Sequence, residues 1–80
     1  MAARTAGAVF AREWGEVQAA EDLAVVLEGF PALPEHVDKE LVQAAEKELG
    51  SLRHRPDLKA ELRGTFWFAL KAVARARGIR

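Results

Sequence analysis

At 80 residues, with twelve Lys/Arg, twelve Asp/Glu and no cysteine, the chain has room for one domain, and disulfides, thiolate metal sites and cysteine nucleophiles are excluded. A domain this short buries only about 60% of its unfolded surface; with no cysteine and two histidines far apart, His36 and His54, oligomerisation is the route left open to further stability. The zero formal charge hides a division, because residues 1–50 carry four basic against ten acidic side chains whereas residues 51–80 carry eight against two.

In chain order, the first twelve residues are Ala-rich, carry Arg4 and Arg12 and have no acid before Glu13. That composition is shared with organellar transit peptides, but it also suits the start of a helix. The apolar run from Ala6 to Ala11 is too short for a signal-peptide core, and no run approaches the roughly 20 residues that span a bilayer. The expectation is a soluble, cytoplasmic chain with no membrane partner.

Proline and glycine then divide the sequence into three helical segments. The first runs from about residue 5 to 28 and ends at Gly29, expected in the left-handed conformation, with Phe30 folding back on Val25. Phe10, Trp14 and Val17 share one side of it, while Leu23, Val26, Leu27 and Phe30 share another, more than a right angle away. The pattern predicts a bend near Gly15 or between Gln18 and Asp22, or two halves packed on different partners.

The second segment, 34–49, opens with Pro34 at the first helical position and Glu35 and Asp38 near the positive end of the dipole, and stops at Gly50. Its narrow apolar face, Val37, Leu41, Ala44, Ala45 and Leu49, marks a peripheral helix. The third segment, 56–77, opens at Pro56-Asp57 and ends before Gly78, with Arg75 and Arg77 in its last turn. Leu58, Leu62, Phe66, Ala69, Leu70 and Val73 form a continuous inner stripe on it.

Phe66-Trp67-Phe68 lies at the centre of this third segment. Successive helical residues point about 100° apart, so one neighbouring surface cannot cover all three rings. Phe66 belongs to the core. Phe68 falls on a third side, near Glu61, Thr65 and Ala72. Trp67 falls among the small residues Ala60, Gly64 and Ala74, with Arg63 and Lys71 at the rim. Since Trp and Arg are enriched at interface hot spots, these six residues are the expected interface, with a second copy favoured over a foreign partner because the chain carries both signs of charge. The competing structural reading covers Phe66 and Phe68 and lays Trp67 along the surface against the stems of Arg63 and Lys71.

The alternative function is a small nucleic-acid-binding or regulatory protein using the basic segment, in which Arg53, His54, Arg55, Lys59, Arg63, Lys71, Arg75, Arg77 and Arg80 could neutralise phosphates, Arg53, Arg55, Lys59, Arg75 and Arg77 being the anion or nucleic-acid contacts named first, with Trp67 stacking on an unpaired base. Overall neutrality, the acidic half, and charges that spiral around the helix argue against it, and no helix-turn-helix spacing is present. Arg53-His54-Arg55 precede a helix N-terminus, against the dipole's preferred sign, so carboxylates such as Glu46 and Glu48 are expected near them.

Catalysis has little raw material. The hydroxyl side chains are Thr5, Ser51 and Thr65, and Ser51 reads as part of a helix-ending turn. His36 and Glu40 have metal-ligand spacing on one helix face but make only half a site. Glu13, Glu16, Glu21 and Asp22 read as exposed acids of an amphipathic helix. The overall expectation is a single all-α domain over 1–80, a small bundle of three main helices with a break of the first left open, associating into a helical oligomer. No enzyme activity, cofactor, metal or small-molecule substrate is inferred, and the function expected is protein–protein interaction.

Overall fold

The helix boundaries follow the Pro and Gly punctuation, with one addition. The computed structural model describes residues 2–79 and contains α1 (Ala3–Val17), α2 (Ala20–Glu28), α3 (Glu35–Leu49) and α4 (Pro56–Ala76). No strand occurs among the described residues.

The three-helix expectation is therefore corrected to four. Gln18 and Ala19 take extended conformations, with ψ of 147° at each, and they separate α1 from α2. The reason is the one visible in the side-chain pattern: an unbroken helix cannot turn both Phe10 and Trp14 and, more than 90° away, Leu23 and Val26 toward one core. After the break all four join the same cluster, with Leu23 completely buried. Val17, expected on the Phe10 side, is exposed.

Helix ends differ in detail from expectation. Gly29 is right-handed, with φ of −76°, and α2 closes through a tight turn in which the Phe30 N–H donates to the Leu27 carbonyl at 3.2 Å. Phe30 leaves Val25 exposed and packs elsewhere. The Phe30–Pro31 peptide is cis. Pro34 stands at the N-cap, one residue before the helix it was expected to begin. Gly50 and Gly78 are the glycines that adopt positive φ, 82° and 76°, where a β-carbon would be strained. At Gly78 the Ile79 N–H donates to the Ala74 carbonyl at 2.8 Å and the Gly78 N–H to the Arg75 carbonyl at 3.1 Å. These are the paired bonds of a Schellman cap, and Ile79 supplies its usual apolar contact by packing on the core.

The core is built on the closest helix pair, α1 against α4. Ala3, Gly7, Ala11 and Gly15 recur every four residues and are all buried, so they form one ridge of minimal height along α1. A β-carbon at Gly7 would lie 2.7 Å from the Leu62 carbonyl oxygen, and one at Gly15 2.9 Å from a Leu70 methyl. Beside this ridge, Phe10 and Trp14 reach to either side of Phe66, with ring centroids 5.8 and 6.0 Å away, in the tilted arrangements that aromatic pairs favour. Phe66, Leu62 and Leu70 are fully buried.

Helix α3 covers the remaining side through Val37, Leu41 and Ala45, and the connector after it is pinned by buried Leu52. The Leu52 N–H donates to the Glu46 carboxylate at 2.8 Å. A bidentate pair joins α3 to α4: Arg63 Nε and Nη2 donate to the Asp38 carboxylate at 2.6 and 3.0 Å. At the opposite end, Arg77 Nη1 donates to the Gly15 carbonyl at 2.6 Å, placing a cation on the negative end of α1.

Gly7 and Gly64 should respond oppositely to one added methyl group. Gly7→Ala meets backbone and should lower unfolding free energy in urea by about 2 kcal/mol. Gly64 is a helical glycine with open space at its β position, so Gly64→Ala should raise it by about 0.5–1 kcal/mol.

Candidate protein-interaction surface

The four-helix arrangement decides which of the three consecutive rings faces water. Phe66 is the hub of the core. Trp67, expected at the surface, is 5% exposed, whereas Phe68 is 75% exposed. The geometric expectation that one ring lies outside the core is met, but by Phe68.

The cause is α2 and the turn after it. Phe30 stands edge-on to Trp67, with ring centroids 5.1 Å apart and planes at 90°, while Phe66 flanks the indole at 5.7 Å. Lys71 Nζ lies 3.6 Å above the Phe30 ring, so a cation–π contact closes the outer side of this stack. In a three-helix bundle the third segment would have two neighbours; the break between α1 and α2 supplies additional covering surface on the Trp67 side. On the Phe68 side, α1 presents Ala8 and Arg12 and no bulky apolar group.

The six residues expected to form an interface are therefore divided. Trp67 and Ala74 are buried. Arg63 is engaged by Asp38, whose hydrogen bond raises the guanidinium pKa further above its ordinary value. Lys71 sits on Phe30. Ala60 and Gly64 are exposed. Arg63, Gly64, Trp67 and Lys71 still border one shallow cleft, between α4 and the Phe30–Glu35 connector.

The basic residues weighed for anion binding are dispersed as well. Arg77 holds the Gly15 carbonyl. Arg55 pairs with Asp57 at 3.2 Å, both side chains being exposed; the hydrogen bond from Arg55 holds the Asp57 carboxyl below the usual carboxylate range. The carboxylate beside this basic run is thus Asp57, while Glu46 serves the Leu52 backbone. Arg53 and His54 are exposed, Lys59 is half-buried, and Arg75 is exposed on α4. Arg80 lies outside the described residues. Among the described residues no group of three His, Asp or Glu is placed to hold a metal ion, and no helix is long and apolar enough to cross a membrane.

What remains is a shallow apolar groove along the α1–α4 crossing, with Phe68 rising from it. Ala8, Thr65, Ala69 and Ala72 form its floor, and Arg4 and Arg12 stand at the α1 edge. The Thr65 hydroxyl donates to the Glu61 carbonyl at 2.9 Å, so it requires no further acceptor. Phe68 was legible as the ring on a third side, but its exposure depended on how little of α1 would stand beside it. The four-residue Ala/Gly repeat carried that information.

No protein-family model, curated protein or solved structure matches this chain.

Trp67 and Phe68 should separate cleanly by substitution. Trp67→Ala removes a buried ring and should cost about 3–5 kcal/mol, most of the stability of a domain this small, with loss of helical circular dichroism. Phe68→Ser should leave the melting transition within about 0.5 kcal/mol of the parent. Asp38→Ala should lie between them, with a loss of about 1 kcal/mol.

Proposed function

We propose that this chain is a non-enzymatic helical interaction module, cytoplasmic, which binds a protein partner through the α1–α4 face centred on Phe68. A single observation carries the reading: a phenylalanine stands 75% exposed above a floor of small side chains, in a protein whose other large rings pack against one another. Burying such a ring contributes about 1.5–3 kcal/mol, and a ring surrounded by alanine and threonine leaves room for a partner helix to lie close. The groove edges carry both charge signs, with Arg12 and Glu16 one turn apart on α1, which favours a polar rim around an apolar centre. The chemistry-bearing side chains point the same way. The hydroxyl side chains are three, Thr5, Ser51 and Thr65, and among the cations Arg55, Arg63, Lys71 and Arg77 are engaged in contacts within the chain.

Photo-crosslinking tests the reading in the cells that make the protein. A benzoylphenylalanine at position 68 should yield one discrete protein adduct, identified by mass spectrometry, while the same group at exposed Glu40 on α3 should yield none. Absence of an adduct at 68, together with tight and steeply salt-dependent binding of a short oligonucleotide, would transfer the function to nucleic acid.

A further inference from the structure

We infer that the occupant of the Phe68 face is a second copy of this chain, docked with its α4 antiparallel about a two-fold axis that passes between the two Phe68 rings. This deepens the interaction reading above and rests on it.

The argument lies in how the exposed residues of α4 are spaced. Glu61, Thr65, Phe68, Ala72 and Arg75 recur at alternating intervals of four and three, so they form one straight stripe along the helix. Glu61, Phe68, Ala72 and Arg75 are exposed and Thr65 is half-buried. The stripe is symmetric in size about Phe68 and antisymmetric in charge. Glu61 stands seven residues before the ring and Arg75 seven after it, each about 10.5 Å along the axis.

Reversing a second copy by a two-fold rotation superposes the rings' positions and sets each Glu61 opposite the other copy's Arg75. Two equivalent ion pairs then flank two paired rings. A parallel copy would set Glu61 on Glu61 and Arg75 on Arg75, so charge selects the antiparallel arrangement. Thr65, three residues before the ring, and Ala72, four after it, come within one residue of exchanging places under the same rotation, and both are small enough for the helices to approach. Such a face is isologous, complementary to itself and closed at two copies. A foreign partner would place no demand on this face to match its own reverse.

Competing contacts within the chain are weak. Arg4 Nε lies 3.6 Å from Glu61 with both side chains well exposed, a pair that water and salt screen. Arg75 has no ion pair among the described residues. The stripe presents a single large apolar side chain, Phe68, so the dimer should be reversible, with a Kd on the order of micromolar to tens of micromolar.

A charge exchange tests both the partner and the register. In sedimentation at low ionic strength the parent should dimerise. Glu61→Arg alone and Arg75→Glu alone should each weaken dimerisation at least about tenfold, since each sets like charges opposite one another twice. An equimolar mixture of the two variants should recover the parent affinity, because every opposed pair is then of unlike sign. Circular dichroism of each variant should match the parent.

The chain has no cysteine, so a second readout is independent of charge. Under mild oxidation Phe68→Cys should form a linked dimer rapidly, since the axis brings position 68 against its own image, and exposed Val25→Cys should not. A parent that is monomeric at about 200 µM, or a mixture no tighter than either variant alone, would overturn the second-copy proposal. If position 68 nevertheless crosslinks a different protein, this inference falls and the interaction reading stands; if it crosslinks nothing, both fall.

Discussion

The close crossing of α1 and α4 is the contact on which the other packing depends. It exists because Ala3, Gly7, Ala11 and Gly15 give α1 an edge with almost no side-chain height, so that the Leu62 carbonyl can approach within van der Waals distance of Gly7. That approach lets Phe10 and Trp14 reach beyond the contact line to hold Phe66 between them. Glycine in a helix carries an entropic cost of about 0.5–1 kcal/mol relative to alanine, and here the cost is offset by dispersion along the length of the pair. The same low edge explains the surface. Helices that approach this closely, through small groups, leave no volume beside them in which a ring on the flank of α4 could be hidden.

Much of this architecture was legible in the amino-acid order. Pro34, Gly50, Pro56 and Gly78 mark helix ends to within a residue, because proline lacks a donor and glycine tolerates positive φ. The inner stripe of α4, the single narrow face of α3 and the disagreement between the two apolar sides of residues 5–28 are all consequences of helical period. The choice between Trp67 and Phe68 was not legible from period alone. The two lie at similar angles from the centre of the inner stripe, on opposite flanks, and only the path of the chain after α1 decides between them. Once Gln18 and Ala19 turn the chain, α2 and Phe30 fall on the indole side. That decision is tertiary, and it also moved Phe30 from its expected local contact with Val25 to a distant one.

The charge division between the two halves of the chain was visible at once, yet its structural use is narrower than its size suggests. Asp38 with Arg63 is the partly buried pair that joins the acidic half to the basic half. Other cations act through carbonyl oxygen or an aromatic face, as Arg77 and Lys71 do. Net charge by segment therefore described solubility and long-range attraction better than it described contacts. Individual positions carried the information, and the most specific of them, Glu61 and Arg75, lie on one helix at equal distances from an exposed ring.

Arg77 reaches 62 residues back along the chain to the Gly15 carbonyl, and the consequence is dynamic. The C-terminal end of α4 and the last turn of α1 share this hydrogen bond, so opening of either removes a contact from the other. Fraying at the end of α4, ordinarily a local event of small free energy, would here also release a carbonyl in the last turn of α1, just ahead of the Gln18–Ala19 break. Two helix ends that lie far apart in the sequence are thus tied by one side chain.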